Sequence, residues 1–374
     1  MNKKAWKSLL GVLALVFVLA ACSTQVKPQM SQASFDQSLQ EYQADLGTVA
    51  AGVAQDLALQ ALMSQPANAP GIGTLSLTAT IMKINSQTAV TDTLKLLGDI
   101  VPLADNNLTR GKYDYDSTNG WESDPNYTGD DLVLTWNFND DQSYSHLAEL
   151  TFDWNYGAAT VDVREFDGST SEMPQDMKIT LKVDGSVVGS LRGQFGWYSC
   201  NGAPIAEPTS VAINGSAGVS DRIEFSFNLS AGDSRISTSG SFSATSGGDS
   251  ASFSWNVSAD GQMQRDSDCF STGFDVTAGH VDFQTSETVS GETSSFAFNT
   301  DFTLNFDASG NPVSAGLSNG FIKVDGAVAV TFSGTLDDAN NNCVPGENVT
   351  LVFADGSMSL EQYLIAQGAT PGCD

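Results

Sequence analysis

The chain has 374 residues, with 44 Asp and Glu against 16 Lys and Arg, a formal charge of −28 and a pI near 4.1. Charged residues make up only 16% of it, against roughly 25% in a typical soluble domain, so the imbalance comes from missing cations more than from a glut of acids. Such a field repels phosphate backbones and excludes nucleic acid as a partner. The 41% of hydrophobic residues argue against wholesale disorder, and the 35 Gly against a helical bundle.

Lys3, Lys4 and Lys7 precede 13 uncharged, mostly aliphatic residues, Leu9 to Ala21. That run is too short for a span, which needs about 20, and suits the apolar part of a secretory signal. It ends at Leu19-Ala20-Ala21-Cys22, which resembles the lipobox of bacterial lipoproteins. The resemblance implies a signal peptide over 1–21, cleavage before Cys22, and acyl chains such as palmitate on its thiol and new amino terminus. Several chains make membrane anchoring stable where one, at roughly 0.8 kcal/mol per buried CH₂, is marginal. Ser23, where sorting to the inner membrane would want Asp, implies the outer membrane of a two-membrane cell, or otherwise the cell surface. The resemblance covers residues 1–22 alone. Loss of three lysines and no acid takes the charge from −28 to −31.

Residues 22–33 read as a polar, lipidated tether. A single long amphipathic helix is predicted over 34–66. Ser34 would cap it with Gln37, and Phe35, Leu39, Tyr42, Leu46, Val49 and Val53 form its apolar stripe. Gly47 and Gly52 weaken it by roughly 1 kcal/mol each, so it is expected to pack on the sheet that follows, with a coiled-coil seam as the other reading of the stripe. Pro66 marks its end.

From about residue 70 to 374 the apolar period becomes two, as in Leu132, Leu134, Trp136, Phe138; Ala148, Leu150, Phe152, Trp154; Ile223, Phe225, Phe227, Leu229; Phe253, Trp255, Val257; Phe302, Leu304, Phe306; and Val349, Leu351, Phe353. Strict alternation predicts antiparallel strands with one wet face, about 14 of them. Asp184-Gly185, Gly247-Gly248, Asp260-Gly261, Asp325-Gly326 and Asp355-Gly356 are hairpin signals. Ser359 and Gln362 form a capping box for a short helix, Leu360 to Gln367, that Gly368 closes. The expected fold is mainly β: a large, strongly curved antiparallel sheet, sandwich or half-barrel with one long N-terminal and one short C-terminal helix. The stretches Lys182–Val187 and Lys323–Val328 match at five of six positions, so the body reads as two related halves, about 70–215 and 216–374.

With Cys22 lipidated, Cys200, Cys269, Cys343 and Cys373 remain. An even count in an oxidising compartment reads as two disulfides, and local loop closure favours Cys200–Cys269 and Cys343–Cys373. No C-x-x-C, H-E-x-x-H, G-x-S-x-G or phosphate-cradling loop occurs. His146 and His280 read as strand-edge surface residues, and no cofactor, metal or catalytic residue is assigned. Two acidic segments have calcium-like oxygen spacing: Asp114, Asp116, Thr118, Glu122, Asp124, and Asp337, Asp338, Asn340, Asn341, Asn342. Both read better as Asx-rich turns. Trp136, Trp154 and Trp255 are expected in the core. Trp121, Tyr127 and Trp197 are expected over strand ends, with a sugar-stacking rim as the other reading.

These features predict a membrane-anchored, exported, non-enzymatic β protein that binds an apolar ligand or an envelope partner. Its order of elements is loosely similar to the half-barrel carriers of the lipoprotein-sorting system, a likeness of topology alone. A purely structural envelope protein is the alternative. A transmembrane β-barrel and a hydrolase with an unmarked acidic site follow.

Overall fold

The computed structural model describes residues 28–38, 40–41, 56–66, 109–306, 312–340 and 342–369. Residues 1–21, Cys22, Cys373 and most of the helix expected over 34–66 lie outside these. Residues 32–38 are helical, and Ser31 rather than Ser34 caps them, its Oγ accepting the N–H of Ser34 at 3.2 Å. Helix α1 (Leu57–Met63) lies further along.

The body is one sheet, mostly antiparallel, with 18 strands among the described residues. Its first part comprises β1 (Gly111–Asp116), β2 (Gly120–Ser123), β3 (Leu132–Asn139), β4 (Ser145–Asp153), β5 (Val161–Arg164), β6 (Thr170–Met173), β7 (Asp176–Val183), β8 (Ser186–Cys200) and β9 (Ala203–Ala217). The second comprises β10 (Arg222–Ala231), β11 (Arg235–Ser246), β12 (Asp249–Arg265), β13 (Ser271–Val289), β14 (Glu292–Phe306), β15 (Pro312–Val324), β16 (Ala327–Leu336), β17 (Asn348–Phe353) and β18 (Gly356–Ser359), followed by helix α2 (Leu360–Ala366). The ladder pairings run β2, β1, β3, β4, β7, β8, β9 and then in chain order to β18. The hairpin β5–β6 joins β9 through one bridge, Arg164 to Ile205.

Two details differ from the sequence expectation. The strand count exceeds 14 because β2, β5, β6 and β18 have four residues each, too few alternations to show a period. The sheet is not wholly antiparallel either. β3 adds to the far side of β1 from β2, so β1 and β3 run parallel.

Alternation places one apolar face along the whole sheet. Leu150 pairs with Leu181, Ile179 with Leu191, Ile213 with Phe227, Trp255 with Phe283, Phe298 with Ile322, and Phe332 with Leu351. Its two ends are dense cores. At the N-terminal end Leu57, Ala58 and Ala61 of α1 pack on Leu134, Trp136, Leu150, Phe152 and Met177. At the C-terminal end Phe35 and Leu360 and Tyr363 of α2 pack on Phe298, Ile322, Phe332 and Phe353. Residues 28–30, inside the stretch read as a tether, are tied to the sheet: Gln29 N–H donates to Val328 O and Ala354 N–H to Met30 O, both at 2.8 Å. Helix α2 has the predicted capping box, and Gly368 has φ 104° just beyond it.

The repeated hairpins are equivalent in detail. Asp184-Gly185 and Asp325-Gly326 have φ of 50° and 79°, and 50° and 77°, the two left-handed positions of a type I′ turn. Each aspartate also fixes the preceding strand. Leu147 N–H donates to Asp184 Oδ1 at 2.9 Å, and Ser295 N–H to Asp325 Oδ1 at 2.8 Å. A bulge follows each turn, its extra residue Val188 opposite Leu181/Lys182 and Ala329 opposite Ile322/Lys323.

The expected Cys200–Cys269 disulfide is present, with Cα atoms 5.8 Å apart; the Cys343–Cys373 pairing lies outside the described residues. Four inter-strand steps separate β8 from β12, about 19 Å in a flat sheet. The bridge therefore requires that end of the sheet to roll up. Arg265 reinforces the closure, its Nη1 lying 2.7 Å from Glu207 Oε1 and 2.7 Å from Cys269 O, with the guanidinium 3.6 Å from the Tyr198 ring centroid. Closing a loop of sequence separation 69 is worth about 4 kcal/mol on a chain-entropy view. The double variant Cys200→Ala/Cys269→Ala is expected to lose about 2–4 kcal/mol in urea denaturation, whereas a loss below about 0.5 kcal/mol would show that the Arg265 contacts alone hold the roll.

Asp56 joins α1 to the far side of this region. It is 2% exposed. Its Oδ1 accepts the N–H of Ala58 at 2.8 Å, and its Oδ2 accepts those of Val219, Ser220 and Asp221 at 2.9, 3.1 and 3.2 Å. One carboxylate thus caps a helix and satisfies the β9–β10 turn. Asp56→Ala is expected to cost about 2–3 kcal/mol by urea denaturation, and Asp56→Asn, which keeps one acceptor oxygen, less.

Candidate functional site

The sheet face opposite the aromatics is built from small polar residues in register. Across β10 to β14 one row reads Glu224, Ser243, Ser252, Ser286, Ser295 and the next reads Ser226, Ser241, Ser254, Gln284, Ala297. A third reads Asn228, Ser239, Asn256, Asp282, Asn299, and a fourth Ser230, Ser237, Ser258, His280, Asp301. Rows two and three continue on β15 as Lys323 and Phe321. Neighbouring hydroxyls and amides are therefore one strand spacing apart, about 4.8 Å. Short side chains over this much area leave a groove of about 460 Å³ on β11–β15, lined by residues including Ser254, Asp282, Gln284, Asn299, Phe321 and Lys323. Lys323 Nζ lies 4.7 Å from the Phe321 ring centroid, giving the end wall an aromatic surface and a cationic donor. Among the described residues no side-chain hydrogen bond engages Ser254, Asp282 or Gln284, so their donors and acceptors are available.

Beside the groove, Ser258, His280 and Asp301 stand in one row, the residue types of a nucleophile relay. The geometry is a different one. His280 Nδ1 is 2.7 Å from Asp301 Oδ1, but its Nε2 is 3.4 Å from Asn299 Nδ2. Ser258 is 3% exposed, and its Oγ accepts from Arg235 Nη2 at 2.7 Å. A buried hydroxyl that accepts from a guanidinium is not poised to attack a substrate. Asn319 Nδ2 donates to Asp301 Oδ2 at 2.7 Å, completing a structural network around His280. The residue lies within β13 and not ahead of a strand, since β13 begins at Ser271.

His146, in β4, is also more than a strand-edge surface residue. Its Nδ1 is 2.7 Å from Asp184 Oδ2 and its Nε2 3.3 Å from Asp140 Oδ2. The bond to Asp184, opposed by burial and reinforced by Asp140, raises the imidazole above its ordinary value near 6.5.

The remaining candidates have structural partners. Trp136 and Trp154 are buried in the N-terminal core, while Trp255 is half-buried against Phe227 and Phe253. Trp121 packs on Tyr115 with centroids 5.3 Å apart. Trp197 stacks on Phe195 and donates to Pro174 O at 3.3 Å. Burial and nearby Asp131 push the Tyr127 phenol up. Carboxylates in both calcium-like segments hold turns. Asp116 Oδ1 accepts from the N–H of Thr118 and Asn119, and Asp338 from those of Asn342 and Cys343. Glu361 accepts the amides of Asn340 and Asn342. Among the described residues no group of three or more His, Cys, Asp or Glu is placed to hold a metal ion.

The groove itself was missed in the sequence. The available signal was Ser at every second position in 237–243 and again in 250–254, where an ordinary wet face mixes charges with Thr. Searched against protein-family models, curated proteins and solved structures, the chain matches none.

The raised pKa of His146 sets the sign of a pH effect. Its two aspartates stabilise the folded state below about pH 6.5, where the imidazole is charged in both states, and this support is lost as pH rises through the folded pKa. The melting-temperature gap between wild type and His146→Gln is expected to be widest near pH 5.5 and to shrink by about pH 8.5. A gap constant across that range would remove the ion-pair explanation.

Proposed function

We propose that the chain is an exported lipoprotein, anchored through acyl chains on Cys22, whose open sheet is a non-enzymatic binding module for a component of the cell envelope. The observation that carries the binding reading is the groove on the polar face, with hydrogen-bonding groups in ordered rows and several of them without a protein partner. The lipobox resemblance carries the anchor, and the hydrogen bonds of Gln29 and Met30 to the sheet support a short connection between them. Among the described residues no helix is long and apolar enough to cross a membrane.

An apolar guest on the other face is the second reading. The half-buried Phe225, Phe242, Phe253 and Phe283 between the two terminal cores favour it. Native mass spectrometry of the detergent-released full chain separates the two, with a dissociable lipid beyond the covalent acyl mass under the second reading and only the covalent acyl mass under the first. For the anchor, wild type is expected in the membrane fraction carrying labelled palmitate. Cys22→Ser is expected to incorporate none and to retain its signal segment. Equal palmitate labelling of the two proteins would overturn the lipidation site.

A further inference from the structure

We infer that the groove on the polar face binds an uncharged oligosaccharide, lying across β11–β15 with its hydroxyls on Ser254, Asp282, Gln284 and Asn299 and a sugar ring against the Phe321 wall. The inference rests on the reading of the sheet as a binding module and specifies its ligand.

Charge decides the class. In a chain of net charge −28, the groove lining contains one acid, Asp282, and one base, Lys323. An anionic ligand would meet the long-range field of the whole protein without a compensating cluster of cations. A cationic peptide would find denser carboxylates almost anywhere else on the surface. An apolar ligand, whatever it gained on the apolar part of the lining, would strip water from Ser254, Asp282 and Gln284 without replacing their hydrogen bonds. The remaining class is neutral and carries donors and acceptors at close spacing along its length.

Geometry agrees. Hydroxyls and amides both donate and accept while a carboxylate accepts, so Ser254 and Gln284 in one row can meet sugar hydroxyls in either sense and Asp282 in the next accepts from them. Neighbours within a row, one strand spacing or about 4.8 Å apart, offer such partners repeatedly across five strands. The aromatic ring of Phe321 supplies the apolar contact that the C–H face of a pyranose seeks, and Lys323 Nζ, lying over that ring at 4.7 Å from its centroid, supplies a donor beside it. The ladders fix the backbone under every one of these side chains, so the surface is set before a ligand arrives. The volume of about 460 Å³ lies in the range of ligand sites.

The test is isothermal titration of the full chain in detergent with cellohexaose, maltohexaose and fully acetylated chitohexaose. Saturable binding of at least one is expected. Gln284→Ala and Ser254→Ala should each weaken it by about tenfold with the melting temperature unchanged, while Ser357→Ala on distant β18 leaves it intact. No binding of any hexasaccharide by folded wild type overturns the inference. So does binding that both groove variants retain, or concentration-dependent self-association in analytical ultracentrifugation that the groove variants abolish, which would make the face a contact between copies. A chain that is acylated on Cys22 and binds no hexasaccharide sinks this inference and leaves the anchored module standing. Sugar binding without acylation does the reverse.

Discussion

A slip of one residue in any ladder would turn that strand's aromatic side chains onto the polar face and its serines onto the apolar one. Everything else in the structure depends on that register being held across sixteen consecutively paired strands. The devices that hold it are local. Asp184-Gly185 and Asp325-Gly326 adopt the left-handed pair of a type I′ turn, which permits a two-residue connection of one register. The same aspartates then accept an N–H from the adjacent strand, so each turn also fixes the ladder beside it. At the opposite edge the Cys200–Cys269 bridge and the Arg265 contacts prevent β8–β9 and β12–β13 from sliding past one another.

A single sheet this wide has more apolar surface than its helices cover, and its two largest cores lie at the ends, with a smaller cluster of Val211, Ile213 and Phe227 between them. There α1, residues 28–38 and α2 supply the second layer that a half-buried sheet needs. The ends are also where edge strands occur, and both edges are short: β2 and β18 have four residues each, a length that offers little template to another chain. Between the ends, strands of 15 to 19 residues carry the regular polar face. The terminal cores thus act as supports, and the central strands as the surface they keep flat along the strand and ordered across it.

Much of this was legible in one dimension and some was not. Period two in Leu132–Phe138 or Ile223–Leu229 reports a strand with one wet face because both facts are properties of a single segment. The capping box at Ser359 and Gln362 is equally local, and the Cys200–Cys269 pairing followed from proximity in sequence. The parallel pairing of β1 with β3 was invisible because it depends on which side of β1 the chain returns to, a choice that residues 124–131 do not encode as a pattern. The groove was invisible for a related reason. Its members Ser254, Gln284, Asn299 and Phe321 are each unremarkable on their own strand, and only the lateral register makes them neighbours.

That lateral view also changes what the acidity means. A charge of −28 spread evenly would leave no part of the surface neutral, yet the groove carries one charge of each sign. Acids concentrate instead in turns, where Asp116, Asp140, Asp167 and Asp338 accept backbone N–H groups, and in pairs with the few cations, as in Asp176–Arg192 and Glu149–Lys182. Many carboxylates therefore do conformational work that hydroxyls would do more weakly. The same face carries Glu224 and Asp301 outside the groove, so the balance of one acid and one base belongs to the groove alone. That local balance within an acidic protein, more than any single side chain, is the contrast on which the reading of an uncharged ligand rests.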